Sequence, residues 1–294
     1  MADPRPPSRA RKPVWREIEE REAHRLSNRA RQATRQRRRL AVVYDIEGPR
    51  VRLGIGWFLL VMAALAVGSV GVAVLYGGAA AIAAAQTAVV WKQRGSQPNQ
   101  TVASAGALSM AVAAAVSTPV LGLAVLAFVA VAFSTAATSV RHGGAVEAGR
   151  HSIAAAARTL QSGIFAGGAA AAVVCTHRFE IGAAVALVLV VSAYEVGDYI
   201  VGSGGRSAAE GPVAGIAALL VVQFGVSALG IPPFELPDGL AYAALAGVLC
   251  PAGQLVASLI LPSVRAPASA LRRLDSLIVL GPVWALVAGA AAAS

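Results

Sequence analysis

From residue 53 onward, the sequence is a series of apolar runs with short breaks between them, and this pattern limits the fold more than any other feature. A helix needs ~20 predominantly apolar residues to cross a bilayer. The apolar segments are residues 53–76, 79–91, 101–117, 119–140, 152–175, 181–202, 212–230, 240–261 and 274–292. The pattern predicts an all-α, polytopic integral membrane helix bundle with about nine transmembrane helices.

The first division in this series depends on a glycine pair. The stretch from Leu53 to Trp91 is too long for one ordinary span, so we place a break at Gly77-Gly78. One span instead of two would give eight in total and would put the C-terminus on the other side of the membrane.

Charge separates a basic arm from the bundle. Only 14% of the residues are charged, against roughly 25% in an ordinary soluble domain. Residues 1–52 hold 15 of the 25 Lys and Arg residues. We therefore expect residues 1–52 to form a basic cytoplasmic arm, disordered and then helical, before a transmembrane bundle of residues 53–294. The arm either binds anionic lipid, contacts a protein partner or only fixes orientation. It carries no nucleic-acid motif, so no nucleic-acid partner is expected.

Loop charges predict the orientation. With the arm in the cytoplasm, 23 basic residues lie on the inner side, and the outer side has only Arg178. Arg158 lies in a helix near its inner end. The chain is therefore expected in the cell membrane, with its N-terminus in the cytoplasm and its C-terminus outside. Both cysteines, Cys175 and Cys250, lie in apolar segments, which argues against a disulfide framework or a Cys-based zinc site.

Two spans carry polar residues that a bilayer should exclude. Glu195 and Asp198 are three residues apart and so share one helix face, near the inner end of their span. Gln254 and Ser258 lie on one face of a later span, together with Pro251, which should kink it. The alternative for Gln254 and Ser258 is that they only form hydrogen bonds between helices.

The inner loops add charge beside these spans. One loop carries Arg206 and Glu210, and the last carries Arg272, Arg273 and Asp275. Together they predict a site at membrane depth that faces the cytosol. Carboxylates there would hold a divalent cation and arginines would bind phosphate, which suits phosphoryl or nucleotidyl transfer to a lipid head group.

These motifs resemble those of a known family, the phosphatidate cytidylyltransferases, or CDP-diacylglycerol synthases. The resemblance covers about residues 190–290. Residues 253–255 (GQL), 258–262 (SLILP) and 271–276 (LRRLDS) are similar to three elements of the C-terminal hallmark of the family. Residues 195–202 (EVGDYIVG) and 210–211 (EG) are similar to an upstream element.

The resemblance implies a polytopic membrane enzyme that joins CTP to phosphatidic acid and uses Mg²⁺ if active. Asp275, Arg273, Ser258 and Glu210 are the candidate catalytic residues. The candidate substrate- or phosphate-binding residues are Arg206, Arg265, Arg272, Gln254 and Tyr199. Glu195 and Asp198 are candidate metal ligands in a rearranged site.

The sequence departs from the family pattern at two decisive positions. Gln254 and Arg272 stand where the family motifs have aspartates that the resemblance makes central to metal binding, and the segment between them is shortened to SVRAPASA. We therefore expect a catalytically silent relative that binds anionic lipid head groups or a membrane partner. One alternative is an active, CTP-dependent enzyme with a rearranged carboxylate site. Another is an unrelated transporter or structural membrane protein, and self-association into a homo-oligomer is left open.

Overall fold

The structure, a computed structural model, describes residues 50–139, 145–203, 207, 209–230, 234, 238–263 and 266–293. Side chains are described for these residues except 50–52, 139, 145–151 and 238. Within these ranges every regular element is a helix. The predicted basic arm, apart from the backbone of residues 50–52, lies outside the described residues.

Ten helices follow one another along the described chain. They are α1 (Arg50–Val67), α2 (Ser69–Lys92), α3 (Gln100–Val116), α4 (Thr118–Ser139), α5 (Ala145–Phe179), α6 (Ile181–Gly202), α7 (Glu210–Ala228), α8 (Asp238–Ile260), α9 (Ser269–Arg272) and α10 (Asp275–Ala293).

Seven of these helices are long and apolar enough to cross a membrane: α2, α4, α5, α6, α7, α8 and α10. Two more apolar helices are shorter, at Leu53–Val67 and Gln100–Val116. The all-helical class and the membrane character predicted from the sequence are therefore confirmed. Seven helices of sufficient length lie in the described part of the chain, and the finer count of about nine crossings stays a prediction.

The predicted break at Gly77-Gly78 is wrong, because α2 runs through both glycines without interruption. The chain instead turns at Gly68, whose φ of 109° is a conformation that side-chain-bearing residues rarely adopt. Gly77 has a packing role: a Cβ there would lie 2.9 Å from Leu108 Cδ1 on α3. The edge-on contact between Trp57 and Tyr76, with centroids 5.8 Å apart, shows that α1 and α2 fold back as a hairpin about Gly68.

Helix connections have two different forms. Gly68, Ser117 and Glu180 each join two helices as single residues, and we call the end of the bundle where they lie the turn end. The Ser117 hydroxyl accepts a hydrogen bond from Val120 N, and the Glu180 carboxylate accepts one from Gly182 N. These side chains cap the helices that follow them, which lets the chain reverse without a loop.

The opposite end, which we call the linker end, contains the α2–α3 connection and the segment between α8 and α10. There, Asn99 N donates to Thr159 Oγ1 at 2.9 Å, and the Trp91 indole donates to the Ile260 carbonyl at 3.0 Å. The α2–α3 connection, the first part of α5 and the segment after α8 therefore meet. Buried alanines, such as Ala107 and the run Ala169–Ala172, let the helices between the two ends pack closely.

Candidate functional site

A buried hydrogen-bonded chain joins α6 to α8 near the linker end. Tyr194 Oη donates to Gln254 Oε1 at 3.0 Å, and Gln254 Nε2 donates to Asp198 Oδ2 at 3.0 Å. Asp198 is 4% exposed and Gln254 is 6% exposed. The Gln254 amide thus accepts with its oxygen and donates with its nitrogen. It supplies Asp198 with a neutral donor in a place where water is largely excluded.

Helix α8 also lies directly against the start of α10. A Cβ on Gly253 would collide with the backbone oxygen of Asp275, so no larger residue fits there without a shift of backbone. This contact brings together the sequence motifs at residues 253–255 and 271–276. The two motifs, which are separate in the sequence, are therefore neighbours in the fold.

Arg272 connects the same two motifs through its side chain. Its Nη1 donates to Ser258 Oγ at 3.1 Å and lies 3.9 Å from Asp275 Oδ2. The Ser258 hydroxyl in turn donates to the Gln254 carbonyl at 2.9 Å. Burial lowers the pKa of the Arg272 guanidinium, and Asp275 opposes that shift. Arginine titrates so far above neutral pH that the group stays charged.

Asp275 has a second partner in the backbone that follows it. Its Oδ1 accepts a hydrogen bond from Ser276 N at 2.7 Å, at the first turn of α10. A carboxylate at the start of a helix is stabilised by free N–H groups and by the positive end of the helix dipole. Asp275 is therefore held by its own helix as well as by Arg272.

Glu195 and Arg273 lie in a neighbouring cavity between α1, α2, α6 and α10. The cavity has a volume of about 20 Å³, and its lining includes Trp57, Tyr76 and Ser192. A volume of that size holds about one water molecule. Ser276, Asp275, Arg273 and Asp198 lie within electrostatic reach of the Glu195 carboxyl group.

The sequence did not reveal the residues that hold the segment after α8 over this cluster. Gln86 on α2 accepts from Ala270 N at 2.9 Å, and the Gln161 amide on α5 donates to the Ile260 carbonyl at 3.2 Å. The Arg158 guanidinium stacks on the Trp91 ring, 3.7 Å from its centroid. The available signal was a glutamine inside an alanine-rich span, since such an amide needs a partner in the bilayer.

The structure brings most of the candidate residues together. Glu195, Asp198, Gln254, Ser258, Arg272, Arg273 and Asp275 form one cluster, which also contains Tyr194 and Ser276. Glu210 is exposed at the start of α7, and its Oε1 accepts from Ser207 N at 3.0 Å. Tyr199 is half-buried on α6 beside Asp198. Arg206 and Arg265 lie outside the described residues.

A metal site is not apparent in this arrangement. Among the described residues, no three or more His, Cys, Asp or Glu side chains are grouped so that they could hold a metal ion. Asp198 and Asp275 instead accept hydrogen bonds from protein groups, and Arg272 lies beside Asp275. Chemically, the cluster is a set of acids balanced by amide and guanidinium donors.

Comparison of the chain with known proteins adds no assignment: no family model, no curated protein and no solved structure matches it. The function must therefore be argued from the cluster itself.

Proposed function

We propose that the chain is a catalytically silent, phosphatidate cytidylyltransferase-like integral membrane protein that binds anionic lipid head groups at the linker end of its bundle. The observation that carries the proposal is the pairing of the cluster acids with protein donors. Gln254 donates to Asp198, while Ser276 N donates to Asp275 and Arg272 lies beside it. A Mg²⁺ ion needs oxygen ligands with uncompensated negative charge, and a guanidinium at this distance opposes its binding.

The cationic side chains supply the attraction for lipid. Arg273 lines the cavity beside Glu195, and its Nη1 lies 3.9 Å from the position of a Cβ on Gly54 of α1. A half-buried guanidinium binds phosphate oxygens strongly because little water competes with them. Under this proposal the arginines neutralise a head group directly, without a metal. A membrane partner protein with an acidic segment is the alternative occupant.

The proposal is tested by an assay for nucleotidyl transfer combined with a binding measurement. The purified chain in mixed micelles with CTP, phosphatidic acid and Mg²⁺ should form no CDP-diacylglycerol above background, while an active cytidylyltransferase does so in parallel. Phosphatidic acid should still bind, and Arg273→Gln should weaken that binding. Arg178→Gln, which removes one positive charge from the turn end, is the matched control and should leave it unchanged. Product formation, or equal binding by both variants, would overturn the proposal.

A second candidate is an active enzyme with a rearranged carboxylate site. The observation in its favour is that the charges of Glu195, Asp198 and Asp275 interact with one another across the cluster. It requires Mg²⁺ or Mn²⁺ density in contact with at least two of Glu195, Asp198, Glu210 and Asp275. It also requires that product formation stop when Glu195 or Asp198 is replaced.

The proposed orientation places the linker end in the cytoplasm of the cell membrane and the C-terminus outside. Cys175 and Cys250 are buried, so a single added cysteine can report its own side. Gln93→Cys, at the linker end, should react with an impermeant thiol reagent only after the cells are opened. Thr118→Cys, at the turn end, should react in intact cells. The reverse result would invert the orientation.

A further inference from the structure

A second concave surface lies on the outside of the bundle, between α2 and α3. This groove has a volume of about 410 Å³ and is lined by Ala81, Gln100, Thr101, Ser104, Ala105 and Leu108. Its polar residues lie at the start of α3, toward the linker end, while Ala81, Ala105 and Leu108 line the remainder. It is separate from the cluster of Glu195, Asp198 and Arg272.

The polar residues of the groove have unused hydrogen-bonding capacity. The side chains of Gln100, Thr101 and Ser104 form no hydrogen bond with any residue in the described part of the chain. Nearby hydroxyls behave differently, since Thr87 donates to the Ala83 carbonyl at 2.8 Å and Ser109 to the Gly106 carbonyl at 2.9 Å. Polar groups on a membrane-facing surface are costly unless a head group, water or protein meets them.

Positive charge lies in the connection between the two helices that form the groove. Lys92 ends α2, Arg94 follows it in the turn, and both side chains are exposed. From the connection to the middle of α3, the chain therefore carries first cationic side chains, then uncharged hydrogen-bonding side chains, and then small apolar ones that line the groove. An anionic phospholipid has chemical groups in the matching order. Its phosphate complements the cations, its ester and glycerol oxygens complement the hydrogen-bonding groups, and its acyl chain complements the apolar residues.

We propose that the groove between α2 and α3 binds one anionic phospholipid, independently of the site at the linker end. Lys92 and Arg94 meet its phosphate, and Gln100, Thr101 and Ser104 donate hydrogen bonds to its ester and glycerol oxygens. One acyl chain lies along Ala81, Ala105 and Leu108. A transmembrane helix of a second copy fits this order less well, because its apolar side chains would leave all three polar residues unpaired.

The test is native mass spectrometry of the full chain with phosphatidylglycerol and, separately, with phosphatidylcholine of the same acyl chains. Thr101→Val combined with Ser104→Ala should weaken retention of phosphatidylglycerol about tenfold, because two hydrogen bonds to the lipid are lost. Ala105→Leu fills the groove from an exposed position and should remove one bound phosphatidylglycerol per chain. The matched control is Ala127→Leu on the exposed face of α4. This variant should bind as much phosphatidylglycerol as the unaltered chain does.

A photoreactive diazirine on the acyl chain of phosphatidylglycerol gives a second readout on the unaltered protein. Labelling should concentrate on the peptide that contains residues 100–108. Equal labelling of the exposed face of α4, or unchanged binding by the Ala105→Leu variant, would overturn the proposal. So would a dimer of the unaltered chain that Ala105→Leu dissociates, because the groove would then hold a second copy. Arg273→Gln separates the two sites: it should lower phosphatidic acid binding at the linker end and leave labelling of residues 100–108 intact.

Discussion

The two ends of the bundle are stabilised in different ways. At the turn end, Gly68, Ser117 and Glu180 each reverse the chain. Arg178 at the end of α5 also contacts the end of α3, where its Nη1 donates to the Ala114 carbonyl at 3.0 Å. At the linker end, polar side chains share partners, as Gln254 does with Tyr194 and Asp198. The turn end is a set of separate contacts, and the linker end is a connected network.

This difference determines how each end should respond to substitution. Local caps and turns at separate positions act independently, so their effects on the free energy of unfolding should add. Members of a buried network depend on one another, because removal of one takes a hydrogen bond from its partner in a place where water is largely excluded. We therefore expect coupled effects at the linker end and additive effects at the turn end.

The largest effect is expected from Gly253→Leu at the linker end. The new side chain would collide with the Asp275 backbone, which cannot move without displacing α10, so we expect about 4 kcal/mol of destabilisation. The measurement is the midpoint of thermal unfolding in detergent. Gly225→Ala is the control, since a Cβ at that position meets nothing within 4 Å and should change stability little. Similar stability of both variants would show that α8 and α10 are not held in close contact.

Gln254→Leu should have the next largest effect, about 3 kcal/mol, because it removes the amide donor of the buried Asp198 carboxylate. Asp198→Leu alone should also destabilise, and the double variant should cost less than the sum of the two. A double-mutant cycle on unfolding free energies measures this coupling. Additive effects would contradict the network and make the linker end resemble the turn end.

Part of this network was predictable from the sequence. The spacing of Gln254 and Ser258 indicated a shared helix face, and Glu195 and Asp198 were recognised as acids inside a span. Helix periodicity cannot reveal which faces meet, so the Gln254–Asp198 pair and the role of Tyr194 required the structure. A tyrosine at that position could equally have been an interfacial or packing residue.

The position of the turn between α1 and α2 is a second feature that the sequence alone could not predict. Gly68 and Gly77 lie in the same apolar stretch, and composition does not distinguish a glycine used for its backbone conformation from one used for close packing. The pair Gly77-Gly78 looked like the stronger break, yet Gly77 packs against α3 and Gly68 carries the positive φ. The number of apolar helices was therefore easier to predict than the place where the first two divide.

Gly68→Ala tests the backbone of the turn end. With φ of 109° and ψ of −171°, Gly68 occupies a region that is nearly restricted to glycine, so alanine should cost about 2 kcal/mol through strain alone. Gly56→Ala in α1 provides the control, because a Cβ there contacts nothing within 4 Å. The midpoints of thermal unfolding of the two variants give the comparison. If Gly68→Ala were as stable as Gly56→Ala, the hairpin of α1 and α2 would not depend on that conformation.

Arg178→Met should have the smallest effect, about 1 kcal/mol, because it removes one donor to a carbonyl in the last turn of α3 but keeps the apolar stem. The informative measurement is the combination with Gly68→Ala. The two residues stabilise different helices. The changes in unfolding free energy that the two substitutions cause should therefore add to within about 0.5 kcal/mol. A larger deviation would mean that α5 couples the helix ends it contacts, since the neighbouring His177 ring bonds the Leu65 carbonyl of α1. In that case the turn end would be a network too, built from backbone acceptors and one cationic helix terminus instead of buried acids.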